Sequence, residues 1–258
     1  MINLLKDTEL KYVECYSEKK KYKNLIKFWD NNFRNIYASN LTIFQKEFEF
    51  EEILEFLIEE IKVSKRKKRR FLNFEVNKNI SRGELRKFNL KPSRVDNFDY
   101  MVINTKEFFD IELDETIEIK EVITDKEYKS LINISIKDNE SALGNRYARA
   151  KILRKVEVYK DKSNYLKAFL IYKDTIPVGS CELLINKNVA KLEDIGILKE
   201  YRGKGIGTFT LKYMLKQCKK NNVEYLYVIT ERFSEAKRVY ERLGFKKIGD
   251  KTQIIFDF

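Results

Sequence analysis

The chain of 258 residues contains no histidine. That absence excludes Ser-His triads, histidine-ligated metal centres and imidazole acid-base chemistry, so proton transfer falls to carboxylates, tyrosine, lysine, cysteine or water. Cysteine is scarce: Cys15, Cys181 and Cys218 are an odd number, far apart, and match no CxxC or metal-ligand spacing, so reduced thiols and no metal are expected. The prolines are only Pro92 and Pro177, and no Gly/Ser-rich linker interrupts the chain, so a domain boundary has to be read from pattern. No run approaches the roughly 18 uncharged apolar residues of a membrane span. The opening MINLLKDTEL lacks the basic start and apolar core of a secretion signal. The expectation is a soluble, cytoplasmic protein with no membrane partner.

Apolar residues make up 43% of the chain, enough for a proper core, and the length suits two compact units or one large one. The 52 Lys and Arg exceed the 40 Asp and Glu to give +12, which suits an anionic partner without naming it. The densest block, KVSKRKKRR (62 to 70), is the tail of a helix that begins FEFEEILEFLIEE. Acidic residues at its start and basic ones at its end complement the helix dipole, and no aromatic residue is interleaved. A solvated helix end is the expectation, and nucleic acid is not the expected partner.

Glycine is rationed to nine, yet three fall within five positions in EYRGKGIGTFTLKYML (200 to 215). AKLEDIGIL (190 to 198) before them alternates branched and polar residues and reads as a strand. Leu211, Met214, Leu215 and Cys218 after them share one helical face. VEYLYVIT (223 to 230) reads as a buried strand; Ala236, Val239, Tyr240 and Leu243 repeat the helical spacing up to Gly244; and FKKIGDKTQIIFDF reads as two strands around Gly249-Asp250. Upstream, ETIEIKEVI (115 to 123) is a strand, 125 to about 158 one or two helices, and NYLKAFLIYKD with IPVGSCELLINK a hairpin across DTIP. Residues 113 to 258 thus predict a complete α/β unit with a mixed sheet.

Residues 1 to 112 echo that unit in part. NIYASNLTIF resembles a strand, Phe50, Ile53, Leu54, Leu57, Ile58 and Ile61 form an apolar helical face, and RRFLNFEV, RGELRKFNLK and DNFDYMVIN mirror later segments. An internal duplication with heavy drift is implied. The echo lacks the glycines, so one anion site per chain is expected.

Glycines just before a helix let the backbone approach an anion, which the unpaired first-turn N–H groups and the helix dipole then hold. The P-loop requires GxxxxGK[ST], and Lys204 precedes the last glycine with no Lys-Ser/Thr pair. The dinucleotide pattern GxGxxG requires glycine where Thr208 stands, and at the first strand of its domain.

The pattern that fits is Arg/Gln-x-x-Gly-x-Gly/Ala, here Arg202, Gly203, Lys204, Gly205, Ile206 and Gly207, with LEDIGILKEY before it and SEAKRVYERLGFKKIG after it. This stretch resembles the acyl-CoA-binding core of the GNAT superfamily of N-acetyltransferases, sharply from about 190 to 248 and in strand order over 113 to 258. The drifted first half is similar to that of bacterial relatives carrying a degenerate GNAT-like unit before an intact one. The resemblance implies an enzyme moving an acetyl group from acetyl-CoA to a primary amine on a small molecule or peptide. It implies that backbone N–H groups from Arg202 to Thr208 cradle the coenzyme A pyrophosphate, with charge from Arg202 and Lys204. It further implies that the pantetheine arm pairs around Ile195 to Ile197, where the Ile197 N–H holds the thioester oxygen.

Tyr240 matches the family's tyrosine that protonates the departing thiolate, although it also lies on the apolar stripe where a core tyrosine would sit. Glu193 occupies the strand position of a proposed base in polyamine-type members, with a salt-bridged glutamate and an ordered-water base as the open alternatives. Alternation places Glu193, Ile195 and Ile197 on one face and Asp194 on the other. The family's coenzyme-binding asparagine is replaced by Phe233, leaving Ser234 as a substitute contact. Cys181 and Cys218 read as core residues, so direct transfer is expected. Two other classes stay open: a non-catalytic acyl-CoA sensor and a basic nucleic-acid binder. The acceptor segments, 124 to 164, carry no motif, and the first half could cover the site, pair with another subunit as a homodimer, or only support the fold.

Overall fold

The computed structural model describes all residues except 46–48, 88, 108–115 and 162. The expected domain boundary at 112/113 lies outside the described residues. In chain order the elements are α1 (Ile2–Glu14), β1 (Glu18–Lys21), β2 (Leu25–Trp29), β3 (Thr42–Phe44), α2 (Phe50–Arg66), β4 (Phe71–Val76), α3 (Arg82–Lys87) and β5 (Arg94–Asn104). They continue as β6 (Ile117–Glu121), α4 (Asp125–Leu143), α5 (Asn145–Lys160), β7 (Leu166–Lys173), β8 (Ile176–Asn186), β9 (Val189–Ile197), α6 (Ile206–Lys220), β10 (Tyr225–Glu231), α7 (Glu235–Arg242) and β11 (Lys246–Asp257). They gather into two compact units: Met1–Tyr16 with Val102–Val228 and Arg242–Lys246, and Ser17–Met101 with Ile229–Glu241 and Lys247–Phe258.

In the first unit the strands neighbour one another in the order β10-β9-β8-β7-β6, antiparallel except that β10 runs parallel to β9. Asp174 and Thr175, both at positive φ, make the two-residue turn between β7 and β8. Such a turn matches the twist of the flanking strands. Thr124 and Glu127 form a reciprocal capping box at the start of α4, and Gly144 at φ 78° separates α4 from α5. Tyr128, Leu131 and Ile134 of α4 and Ile152 and Val156 of α5 pack on Ala168 and Leu170 of β7 and on Leu198. Helix α1, which the sequence pattern did not suggest, brings Tyr16 against Val158, Leu166 and Leu184.

In the second unit β1, β2, β3, β4, β11 and β5 are successive neighbours, and α2 packs Ile53, Leu54 and Leu57 on Phe44, Leu72, Phe74 and Ile254. The order β3-α2-β4-α3-β5 repeats β9-α6-β10-α7-β11, as a drifted duplication requires. Two expectations need correction. NIYASNLTIF is a strand only over Thr42–Phe44. Upstream, the Asn40 side chain donates to the carbonyls of Phe33 and Ile36, both at 2.9 Å, and so competes with a ladder. FKKIGDKTQIIFDF is one strand, because Gly249 does not adopt the positive φ of a hairpin turn and β11 runs straight through it.

Helix α7 also differs from its sequence pattern, since none of its residues is buried. Charge holds it within the second unit. Asp99 of β5 is fully buried and lies 2.7 Å from Lys237 of α7, 3.2 Å from Arg232 and 2.9 Å from Lys247. Burial raises the Asp99 pKa, but the bonds from Lys237 and Lys247 outweigh it and hold the carboxyl below its usual range. The stability this contributes is therefore present above the unfolded-state value near 3.9 and lost as pH falls through the lower folded value. Asp99→Asn is expected to cost about 2–3 kcal/mol at neutral pH and to flatten the acid limb of stability. Denaturant titrations across pH check both.

Candidate active site

The site begins with a miscount between two strands. Glu182 opposes Glu193 and Ser180 opposes Gly196, so Asp194 and Ile195 of β9 face the single residue Cys181 of β8. Asp194 sits at φ 48°, a left-handed conformation that aspartate tolerates better than most residues. Such a bulge breaks side-chain alternation. Glu193 and Asp194 therefore do not divide between the two faces. Glu193 is 2.9 Å from Lys191, which reaches Glu9 of α1 at 2.7 Å. Asp194 reaches Lys151 at 3.0 Å and Lys155 at 2.5 Å, both on α5.

Lys155, 9% exposed, also lies 2.6 Å from Glu182, which is 1% exposed. Glu182 in turn accepts hydrogen bonds from Tyr12, Tyr16 and Tyr159. Burial, then the Glu182 charge, raises all three phenols well above their ordinary pKa. Burial alone would neutralise Lys155, but Asp194 and Glu182 keep it charged well above the usual lysine range. Burial would also raise Asp194, and Lys151 and Lys155 reverse that to hold it ionised. Glu193 differs: burial raises its pKa and Lys191 offsets this only in part. Asp138, Lys155, Tyr159, Glu182, Asp194 and Gly196 contribute to the wall of a cavity of about 200 Å³.

The glycine turn follows β9. Gly203 and Gly205 lie at φ 74° and 79°, and the first helical bond of α6 runs from Phe209 N to Gly205 O at 2.9 Å. The amides of Gly205, Ile206, Gly207 and Thr208 consequently have no intrahelical acceptor. Gly203 and Gly205 are required by their φ; Gly207 is not, because it is helical. A Cβ added at any of the three would meet nothing within 4 Å. The chain's own packing thus gives no reason for glycine at 207, whereas close approach of a bound group does.

Arg202 does not extend toward that opening. Its Nε donates to the Ile197 carbonyl and its Nη2 to Asp138, both at 2.7 Å, which ties the turn to the end of β9 and to α4. Lys204 lies 5.3 Å above the Tyr201 ring. Gly196 has a packing reason, since a Cβ there would come within 2.3 Å of the Asp138 carboxylate. Ile195 and Ile197 are half-buried, and the parallel register with β10 ends at Tyr227 opposite Lys191, so Leu192–Ile197 runs on beyond it.

Ile195, Ile197 and residues 202 to 208 thus come together in the first unit with Glu193, while Tyr240 and Ser234 belong to the second. Tyr240 is half-buried on α7, not a core residue. The Ser234 hydroxyl accepts from the Lys237 amide at 3.3 Å and so caps α7, and Phe233 is 95% exposed. Cys181 and Cys218 are buried; burial raises both thiols, that of Cys218 to about 12, which suits core residues.

Asp138, Lys155, Tyr159 and Glu182 were missed by motif. A faint signal existed: Glu182 interrupts the apolar run of IPVGSCELLIN, and Lys155 shares a helical face with Ile152, Val156 and Tyr159. Glu182→Gln is expected to lower unfolding stability by about 3 kcal/mol, because it leaves Lys155 and three phenols short of a buried anion. An unchanged denaturation midpoint would contradict the network's structural role.

Comparisons with known proteins agree with this geometry. Residues 128–245 match the model of the acetyltransferase (GNAT) family. A curated relative, "Uncharacterized N-acetyltransferase CgeE" of Bacillus subtilis (strain 168), is 29% identical over 121 residues, or 45% of this chain. The match spans about half, 46%, of that relative's length. A functionally unknown conserved protein from Staphylococcus epidermidis superposes with a TM-score of 0.73 at 18% identity, covering 93% of this chain and 94% of that one. A GCN5-related N-acetyltransferase from Kribbella flavida gives 0.70 at 14% identity over 98% and 94%. Among the described residues no helix is long and apolar enough to cross a membrane, and no cluster of His, Cys, Asp or Glu is placed to hold a metal. The bulged strand and the open glycine turn both lie within residues 128–245, the segment that matches the acetyltransferase (GNAT) family.

Proposed function

We propose that the protein transfers an acetyl group from acetyl-CoA to a primary amine by direct attack of the amine on the thioester. The observation that carries this reading is Gly207, a glycine that neither its backbone nor its neighbours require, beside free first-turn amides. Those amides, with the backbone of Gly203 and Lys204 beside them, would hold the coenzyme A pyrophosphate. Arg202, bonded to Ile197 and Asp138, would fix the turn instead of supplying its charge to the phosphates. Pantetheine would pair along Ile195 to Ile197, with the Ile197 amide stabilising the oxyanion as the thioester carbonyl becomes tetrahedral.

Chemistry without histidine divides as follows. The amine must be neutral to attack, and Glu193 is the better base because burial has raised its pKa, while Asp194 is locked as an anion by two lysines. Tyr240, assigned from sequence likeness, donates its proton to the leaving thiolate, a favourable direction for a phenol near 10 and a thiol near 8.5. The cavity lined by Asp138, Lys155, Glu182 and Asp194 is the proposed acceptor pocket; its carboxylates are already paired with Arg202, Lys151 and Lys155, so it suits the neutral amine that attacks. Residues 1 to 112 are proposed as a degenerate repeat without a coenzyme site of its own.

Two experiments test these assignments. Gly207→Leu is expected to keep or improve folding, since leucine exceeds glycine in helix propensity by about 0.8 kcal/mol, yet to weaken coenzyme A binding about 100-fold or more as its side chain fills the cradle. Retained affinity in calorimetric titration would remove the cradle. In thiol-release assays Tyr240→Phe should lower kcat about 100-fold with little change in the acetyl-CoA KM. Glu193→Gln should erase an acid limb of kcat/KM lying above the ordinary glutamate value of about 4.3. Unchanged turnover in Tyr240→Phe assigns the chain to a non-catalytic acyl-CoA sensor instead.

A further inference from the structure

The second unit contains a cavity of about 740 Å³ that owes nothing to the acyl-transfer site. It lies where the C-terminal end of α2 turns into β4, and its wall includes Trp29, Arg34, Lys68, Arg69, Arg70 and Asn73. Its size is in the range that encloses an organic ligand.

Two observations converge on its chemistry. Arg34, Lys67, Lys68, Arg69 and Arg70 line it and are exposed, and none pairs with a carboxylate among the described residues. Asp30, the single carboxylate of the lining, accepts from the Asn32 and Phe33 amides at 3.0 and 3.2 Å. The block is therefore an uncompensated cation cluster on the lip of a cavity, which a solvated helix end does not require. Second, Trp29, half-buried on β2, supplies the flat aromatic face that the basic block lacks in sequence.

The turn itself favours charge over conformational ease. Lys68 adopts φ 51° at the end of α2, with the Arg69 amide bonded to the Ser64 carbonyl at 3.0 Å. Glycine is the usual occupant of that left-handed position. A lysine there keeps one more cation on the lip.

We propose that this cavity binds a nucleotide, its phosphate held by the cluster around Arg69 and Arg70 and its base set against Trp29. Forked guanidinium groups match phosphate oxygens, and an indole face stacks on a base.

The chain's single tryptophan makes the test direct, because intrinsic tryptophan fluorescence reports on this cavity alone. The full-length protein is titrated with AMP, with adenosine, and with a 5′-phosphorylated single-stranded oligonucleotide. AMP should change Trp29 emission saturably, adenosine far less, and Arg69→Gln combined with Arg70→Gln should weaken the response about 100-fold, near ten-fold for each lost phosphate contact. Lys68→Gly should raise the thermal midpoint and still weaken binding. Gly207→Leu should leave the AMP response intact, which separates this site from the coenzyme site. A stronger response to the oligonucleotide than to AMP identifies the nucleotide as part of a strand, and an equal one as a free molecule. The proposal is overturned by no saturable change with either, or by the same change in the double arginine variant.

Discussion

One ammonium group joins the elements on which the candidate site depends. Lys155 reaches from α5 to Glu182 on β8 and to Asp194 at the bulge of β9, and Glu182 collects phenols from α1 and α5. Taking such charges out of water is costly. The cost is offset here because two anions share one cation and the remaining carboxylate lone pairs are occupied by tyrosine hydroxyls. The arrangement holds the bulge at its left-handed residue, and the bulge determines where Glu193 and the end of β9 lie. Arg202 then extends the same chain of contacts from Ile197 and Asp138 to the glycine turn.

The second unit shows a different balance. Helix α7 buries no residue, so apolar packing contributes little to its attachment, and Asp99 with Lys237 takes over. The helix that bears Tyr240 is therefore anchored by a salt- and pH-sensitive contact. In the candidate site two neighbouring carboxyls are pushed apart: Glu193 is raised, Asp194 depressed, and both for identifiable local reasons.

Much of this was legible in the sequence where a period or a conformational demand is written locally. The strand–glycine–helix sequence of β9 and α6 and the β7–β8 hairpin follow from neighbouring residues, whereas the sequence left one helix or two open where Gly144 divides α4 from α5. What was illegible depends on distant partners. The bulge exists only as a mismatch between β8 and β9, so strict alternation misplaced Asp194 relative to Glu193. The bond of Arg202 to Asp138, 64 residues earlier, has no local signature either. Gly249-Asp250 resembled a turn because the pairing of β11 with β4 has no local signature. Trp29 and the basic block are likewise 40 residues apart, and folding alone places them around one cavity.

The central claim is that the open glycine turn is a cradle for the diphosphate of coenzyme A. Amide hydrogen exchange of the full-length protein, with and without coenzyme A, measures it at the atoms concerned. Strong slowing at residues 203 to 208, saturating at one coenzyme A per chain and with none in residues 1 to 112, is the predicted result. Exchange at 203 to 208 that is indifferent to coenzyme A, or protection confined to other segments, would contradict it.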